Sequence, residues 1–301
     1  STQMVTDNQT AEDYTYKSDY TSTTELLDSI EDLGERMSEE GTVLLKNDGA
    51  LPLSADEKQK VTFLGFSSYF PIQGGDFGST LSENEGTDAD TVDMVEAFEA
   101  KGYTLNPVVK EMYTSMKEEF KSEAVLPWGV TTYYRATSPA IGGTFTSLEP
   151  TQDRLNEVEP TWKDSMNDYN VMVVTIGRAA GENTNYTPGK EGVNPDQDLN
   201  QEDPLGLSDT ERATIDAAVK AKETNGGKVV VLLNNASAME IDEIKNNDGV
   251  DALLEVGIPG GYGFYGVADV LCGDANPSGH LADTYAVDNS ASPAAQNYGD
   301  Y

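Results

Sequence analysis

Short, predominantly apolar runs recur along this chain: 42–45, 61–65, 171–176, 228–233 and 252–256. A half-exposed strand alternates apolar with polar residues. A strand that is apolar on both faces is covered on both sides, as in parallel sheets flanked by helices. Between these runs lie segments with apolar residues at helical spacing, over 91–100, 107–119, 161–168 and 208–223. Ser208 followed by Glu211 supplies a capping box for the last of these. A further helix is predicted over 23–40, with Leu26, Leu27, Ile30, Leu33 and Met37 as its apolar stripe. The alternation predicts an α/β fold: a three-layer α/β/α sandwich around a mostly parallel sheet of five to six strands.

The pattern also sets the organisation. Residues 1–22 carry Thr, Ser, Asp and Tyr without sustained periodicity and read as an extended N-terminal arm. The sandwich domain is expected over 23–288, and 289–301 reads as a linker. Within the domain, 122–150 and 179–206 read as long loops rich in Gly, Pro and Asn, a class of segment that is often functional.

Composition removes several function classes. Nineteen basic against 53 acidic residues give a net charge of −34 over 301 residues. Phosphate backbones need Lys and Arg to displace counterions, so the balance argues against nucleic acid as a partner, and equally against an anionic membrane surface. No stretch approaches the roughly 20 apolar residues needed to span a bilayer, and the first residues do not read as a charged n-region followed by an apolar h-region. The Thr/Asn/Asp-rich acidic surface slightly favours an extracellular or cell-surface setting over a cytoplasmic one. The one cysteine, Cys272, excludes an internal disulfide and is expected as a buried, inert thiol. The one histidine, His280, cannot by itself build a histidine metal site or a Ser-His-Asp triad. Neither metal nor cofactor is expected. Carboxylates are the chemistry that remains.

Five segments carry a family resemblance. They are Glu39 to Leu53 (EEGTVLLKNDGALPL), Gly74 to Ser79 (GGDFGS), Val229 to Ile241 (VVVLLNNASAMEI), Ala252 to Gly273 (ALLEVGIPGGYGFYGVADVLCG) and Gly273 to Tyr285 (GDANPSGHLADTY). In this order and at these spacings they resemble the second, α/β-sandwich domain of glycoside hydrolase family 3, of the β-glucosidase type. The terminal segments Tyr16–Tyr20 and Asn297–Tyr301 resemble the subgroup in which the sandwich precedes the barrel. The resemblance implies a retaining, exo-acting β-glycosidase, a β-glucosidase or β-xylosidase, that releases terminal sugars from oligosaccharides. Its nucleophilic aspartate lies on a (β/α)8 barrel of the same polypeptide, and the 289–301 linker leads towards that barrel. The chain alone is therefore expected to be inactive.

The same resemblance assigns roles. A retaining glycosidase needs two carboxyl groups about 5–5.5 Å apart. The family's acid/base glutamate stands in an Arg-x-x-Gly-Glu loop after a strand. Here Arg178-Ala179-Ala180-Gly181-Glu182 has that form, so Glu182 is the implied general acid/base, with Glu191 as fallback. Arg178, Gly75, Ser79 and Trp128 are the implied substrate-binding residues. The residues after Glu182, Asn183-Thr184-Asn185-Tyr186, depart from the family pattern. That departure favours the alternative of a non-catalytic carbohydrate-binding or scaffold domain with a decayed site. Gly261-Tyr262-Gly263-Phe264-Tyr265-Gly266 spells a dinucleotide fingerprint. It comes too near the end of the chain for the βαβ units that should follow, so tight strand-to-helix packing is expected instead.

Overall fold

The computed structural model describes residues 33, 35, 36, 39, 41–72, 93–126, 129–134, 149–178, 206–235, 239–259 and 263–277, with backbone alone for 120–126 and 129–134. Its centre is a five-stranded sheet built from β1 (Val43–Asn47), β2 (Val61–Leu64), β5 (Val171–Arg178), β6 (Lys228–Asn235) and β7 (Ala252–Glu255), in the spatial order β1-β7-β6-β5-β2. Strands β2, β5, β6 and β7 run parallel, and β1 closes the edge antiparallel to β7. The five apolar runs are these five strands. All eight residues of β5 are buried, which is what a run without alternation requires.

Helices cover both faces. On one face are α2 (Phe66–Tyr69), α3 (Met94–Ala100) and α9 (Phe264–Cys272). This placement follows from Ser68 Oγ donating to Thr175 Oγ1 at 2.8 Å, from Met94 against the same threonine, and from α3 packing on α9. On the other face are α4 (Pro107–Ser115), α6 (Trp162–Ser165) and α7 (Asp209–Asn225). Asn106, the N-cap of α4, donates to Thr62 Oγ1, and Asn225 at the end of α7 reaches Met172 Sδ. Thr62 and Met172 are register partners, so both contacts lie on one face. The three-layer sandwich is therefore as the pattern predicts. The helix from Ser208 carries its capping box, Ser208 Oγ accepting from Glu211 N–H at 3.1 Å.

The long loop expected over 122–150 is in part a hairpin. Strands β3 (Lys121–Leu126) and β4 (Gly129–Tyr134) pair antiparallel in a separate two-stranded sheet. The helices α1 (Ala55–Lys58), α2, α5 (Gln152–Val158) and α8 (Asp242–Lys245) also escaped the pattern. Three of them are single turns, too short to show a period. Leu33, placed in the apolar stripe of the first helix, is 52% exposed, whereas Glu35 and Glu39 of the same helix are partly buried. The packed face there carries charge, because it meets Lys101.

One backbone position decides how β2 turns into α2. Gly65 has φ +92°, and a Cβ there would lie 2.4 Å from Thr175 O of the neighbouring strand. Only glycine combines that conformation with that approach. The helix then starts without a capping side chain of its own.

Candidate functional site

In parallel α/β sheets, ligands bind outside the carboxyl ends of the strands. Here that edge is formed by Leu64, Arg178, Asn235 and Glu255. The charge gathered beside Leu64 and Arg178 is mostly buried. Glu149 is 2% exposed and accepts the Phe66 N–H at 2.9 and 3.2 Å, closing the helix start that Gly65 leaves uncapped. Burial pushes its carboxyl up to about 8. Glu211 adds repulsion, while Phe66 N–H and Arg178 pull the other way.

Arg178 ends β5 with its side chain 3% exposed. Its Nη1 and Nη2 donate to the two oxygens of Glu211, each at 2.6 Å. The same nitrogens donate to Gly177 O at 2.7 Å and to Gly206 O at 2.8 Å. This is a bidentate fork, the strongest form of carboxylate recognition. Glu211 Oε1 also accepts Ser208 N–H at 2.9 Å, so one carboxylate caps α7 and holds the arginine. Beside them, Asn234 is fixed by Ile72, with Nδ2 donating to Ile72 O and Gly257 O and Oδ1 accepting from Ile72 N–H. Among the described residues, Ser67 Oγ and Asn235 Nδ2 are buried at this edge with no hydrogen-bond partner.

Arg178, expected in the loop after the strand as a substrate-binding residue, is the last residue of β5, and its guanidinium turns inward to Glu211. Glu182, Glu191, Gly75, Ser79 and Trp128 lie outside the described residues. Glu149, Glu211 and Asn234 were not anticipated as site residues. Glu211 was legible as a capping residue only, and nothing in the sequence separates Glu149 from the other acidic residues.

Two further groups of metal-ligating type occur among the described residues, Glu35/Glu39/Asp269 and Asp269/Cys272/Asp274. Lys101 supplies the cation there, contacting Asp269, with Asp274 at 3.6 Å and Glu35 at 3.7 Å. Cys272 is half-buried rather than fully enclosed, and its thiol donates to Asp274 at 3.1 Å. Burial raises its pKa, as an inert thiol requires. The glycine motif behaves as packing. A Cβ on Gly263 would lie 1.9 Å from Pro259 O, so strand exit and helix start are closed on each other. No helix among the described residues is long and apolar enough to cross a membrane.

A mostly parallel sheet between helix layers, with a charged strand-to-loop edge, defines the class as a three-layer α/β sandwich, and comparison with known proteins fixes the family. The model of the glycosyl hydrolase family 3 C-terminal domain matches residues 42–301, and the chain belongs to that family. Similar proteins include the probable beta-glucosidase D of Aspergillus flavus, 26% identical over 82% of this chain and 29% of its own length. Beta-glucosidase 3B of Thermotoga neapolitana, solved with α-D-glucose, is 26% identical with a TM-score of 0.59, over 86% of this chain and 31% of its own. A beta-glucosidase from Paenibacillus barengoltzii shares the fold at 22% identity and a TM-score of 0.57. The chain thus spans less than a third of the length of these relatives.

Proposed function

We propose that this chain is the acid/base domain of a retaining, exo-acting β-glycosidase, a β-glucosidase or β-xylosidase acting on terminal sugars of oligosaccharides. Residues 23–288 form the working sandwich, and 289–301 lead to a (β/α)8 barrel in the same polypeptide. The observation that carries this reading is the course of β5. The strand delivers Arg178 to the carboxyl edge of the sheet, four positions before Glu182. A barrel aspartate attacks the anomeric carbon while Glu182 protonates the departing oxygen. Glu182 then takes a proton from the water that releases the sugar. The glycone pocket is completed by the barrel, with Gly75, Ser79 and Trp128 as the sandwich's contributions.

The test uses the full polypeptide with Glu182→Ala, assayed on alkyl and on activated aryl β-glycosides with and without azide. Loss confined to the poor leaving groups, together with formation of a glycosyl azide from the aryl substrate, establishes Glu182 as the acid/base. Unchanged rates on both substrates transfer the role to Glu191 or leave the domain a scaffold.

A further inference from the structure

Arg178 and Gly206 are the two described residues that bracket 179–205, the segment in which Glu182 stands. They are joined directly, Arg178 Nη2 donating to Gly206 O at 2.8 Å. The guanidinium is in turn fixed by Glu211, whose carboxylate is fully buried. Glu211 is held from both sides, by Ser208 N–H on Oε1 and by its own N–H on Ser208 Oγ. The last residue of β5, the return point of the segment and the first turn of α7 therefore share one ion pair. We propose that Glu211 is a positioning residue for catalysis. Through Arg178 it ties the point where the Glu182-bearing segment leaves β5 to the point where it enters α7, and so holds the acid/base carboxyl for the leaving group. This inference rests on the reading of Glu182 given above.

The geometry favours positioning over plain stabilisation. A buried guanidinium needs an acceptor for each of its donors, and the place of those acceptors decides what it anchors. This guanidinium uses the donors left over from the carboxylate on Gly177 O and Gly206 O, the backbone at the two ends of the segment. The fork is also rigid. Arg presents a planar set of donors that a lysine cannot reproduce, so the anchorage carries orientation as well as charge.

The experiment compares Glu211→Gln and Arg178→Lys with Glu182→Ala in the full polypeptide, on an alkyl and a 2,4-dinitrophenyl β-glycoside, alongside thermal unfolding. A displaced proton donor costs most where the leaving oxygen needs the proton. Glu211→Gln is therefore expected to lose about 10- to 100-fold in kcat on the alkyl substrate, part of the about 10²–10⁴-fold that general acid–base catalysis supplies. The aryl substrate should change little, with KM near that of the parent. Arg178→Lys should give the same split. A variant that is folded at the assay temperature and loses both substrates equally, or neither, overturns the inference. If one variant does not fold, the other decides, and Glu211→Asp, which retracts the carboxylate by one methylene, stands in for both. Should Glu182→Ala itself show no leaving-group dependence, the acid/base reading fails instead. Should Glu182→Ala show it and the folded positioning variants not, only the positioning role falls.

Discussion

The carboxylate of Glu149 caps the helix that begins at Phe66, accepting its N–H at 2.9 and 3.2 Å from 83 residues away. Gly65 cannot supply that acceptor itself. The arrangement has a pH signature. Burial, with Glu211 behind it, raises the Glu149 pKa from 4.5 to about 8. A carboxyl whose folded pKa lies above its unfolded one stabilises fully below the unfolded value, and that contribution is lost as pH rises through the folded one. The domain should thus weaken between about pH 4.5 and pH 8, by an amount on the order of a few kcal/mol. Glu149→Gln keeps a carbonyl oxygen for Phe66 N–H and cannot ionise. Urea unfolding at pH 5 and pH 8 should show a clearly larger difference for the parent chain than for the variant. Equal differences would refute the assignment.

A second pH dependence is expected at the opposite end of the chain. Hydrogen bonding to Asp269, followed by burial, raises both Glu35 and Glu39 to about 7. Burial works against ionising Asp269, but hydrogen bonds from Glu35, Glu39 and Lys101 outweigh it and hold its pKa below the usual range. Raised carboxyls favour packing at low pH and depressed ones favour it at high pH. The contact is therefore tightest around pH 4–5 and loosens as Glu35 and Glu39 ionise towards pH 7. Protection factors at 33, 35, 36 and 39, corrected for the intrinsic pH dependence of exchange, should fall over that interval by more than those of the β5 amides. Lys101→Met removes the cation that all of these groups face. It should cost about 1.5–3 kcal/mol at pH 7, where the carboxylates are charged, and less at pH 5.

Gly65→Ala tests the strand-to-helix turn. Positive φ costs an L-residue on the order of 1–3 kcal/mol, and the added Cβ must also push Thr175 O back from 2.4 Å. The expected loss is at the upper end of that range or beyond, measured by denaturant midpoint at unchanged m-value. A loss below about 1 kcal/mol would mean that β2 and β5 separate easily there.

What the sequence disclosed and what it hid divide along physical lines. The five strands of the main sheet were legible because each carries a short run dominated by apolar residues, buried on both faces through most of β2, β5 and β6. The capping box at Ser208 and Glu211 was legible because it is local. The hairpin 121–134 was not. Its strands (KSEAVL, GVTTYY) mix polar with apolar residues and stand in a segment rich in turn formers. Single-turn helices leave no period to read. The buried charges were hidden for a different reason. With 53 acidic residues, nothing local marks Glu149 or Glu211 as the ones without solvent. Their partners lie 83 and 33 positions away, distances that only the fold closes.

The glycine motif at 261–266 provides a negative prediction. Gly263 sits closed against Pro259 O, a strand-to-helix packing contact. Millimolar NAD or NADP should leave the melting temperature of the chain unchanged, since a ligand bound only to the folded state must raise it. A saturable rise would reopen the nucleotide reading.

The division of labour between two domains yields the most direct functional prediction. A retaining mechanism requires a nucleophile and an acid/base, and the proposed function gives this chain only the second. Purified alone, it should unfold cooperatively, as a domain with one continuous apolar core does. It should release 4-nitrophenol from 4-nitrophenyl β-D-glucoside or β-D-xyloside no faster than its own Glu182→Ala variant. That variant is the proper control, because it subtracts any contaminating glycosidase. Turnover well above it, abolished by substituting a second carboxylate within these 301 residues, would place both groups in this chain and end the half-site reading.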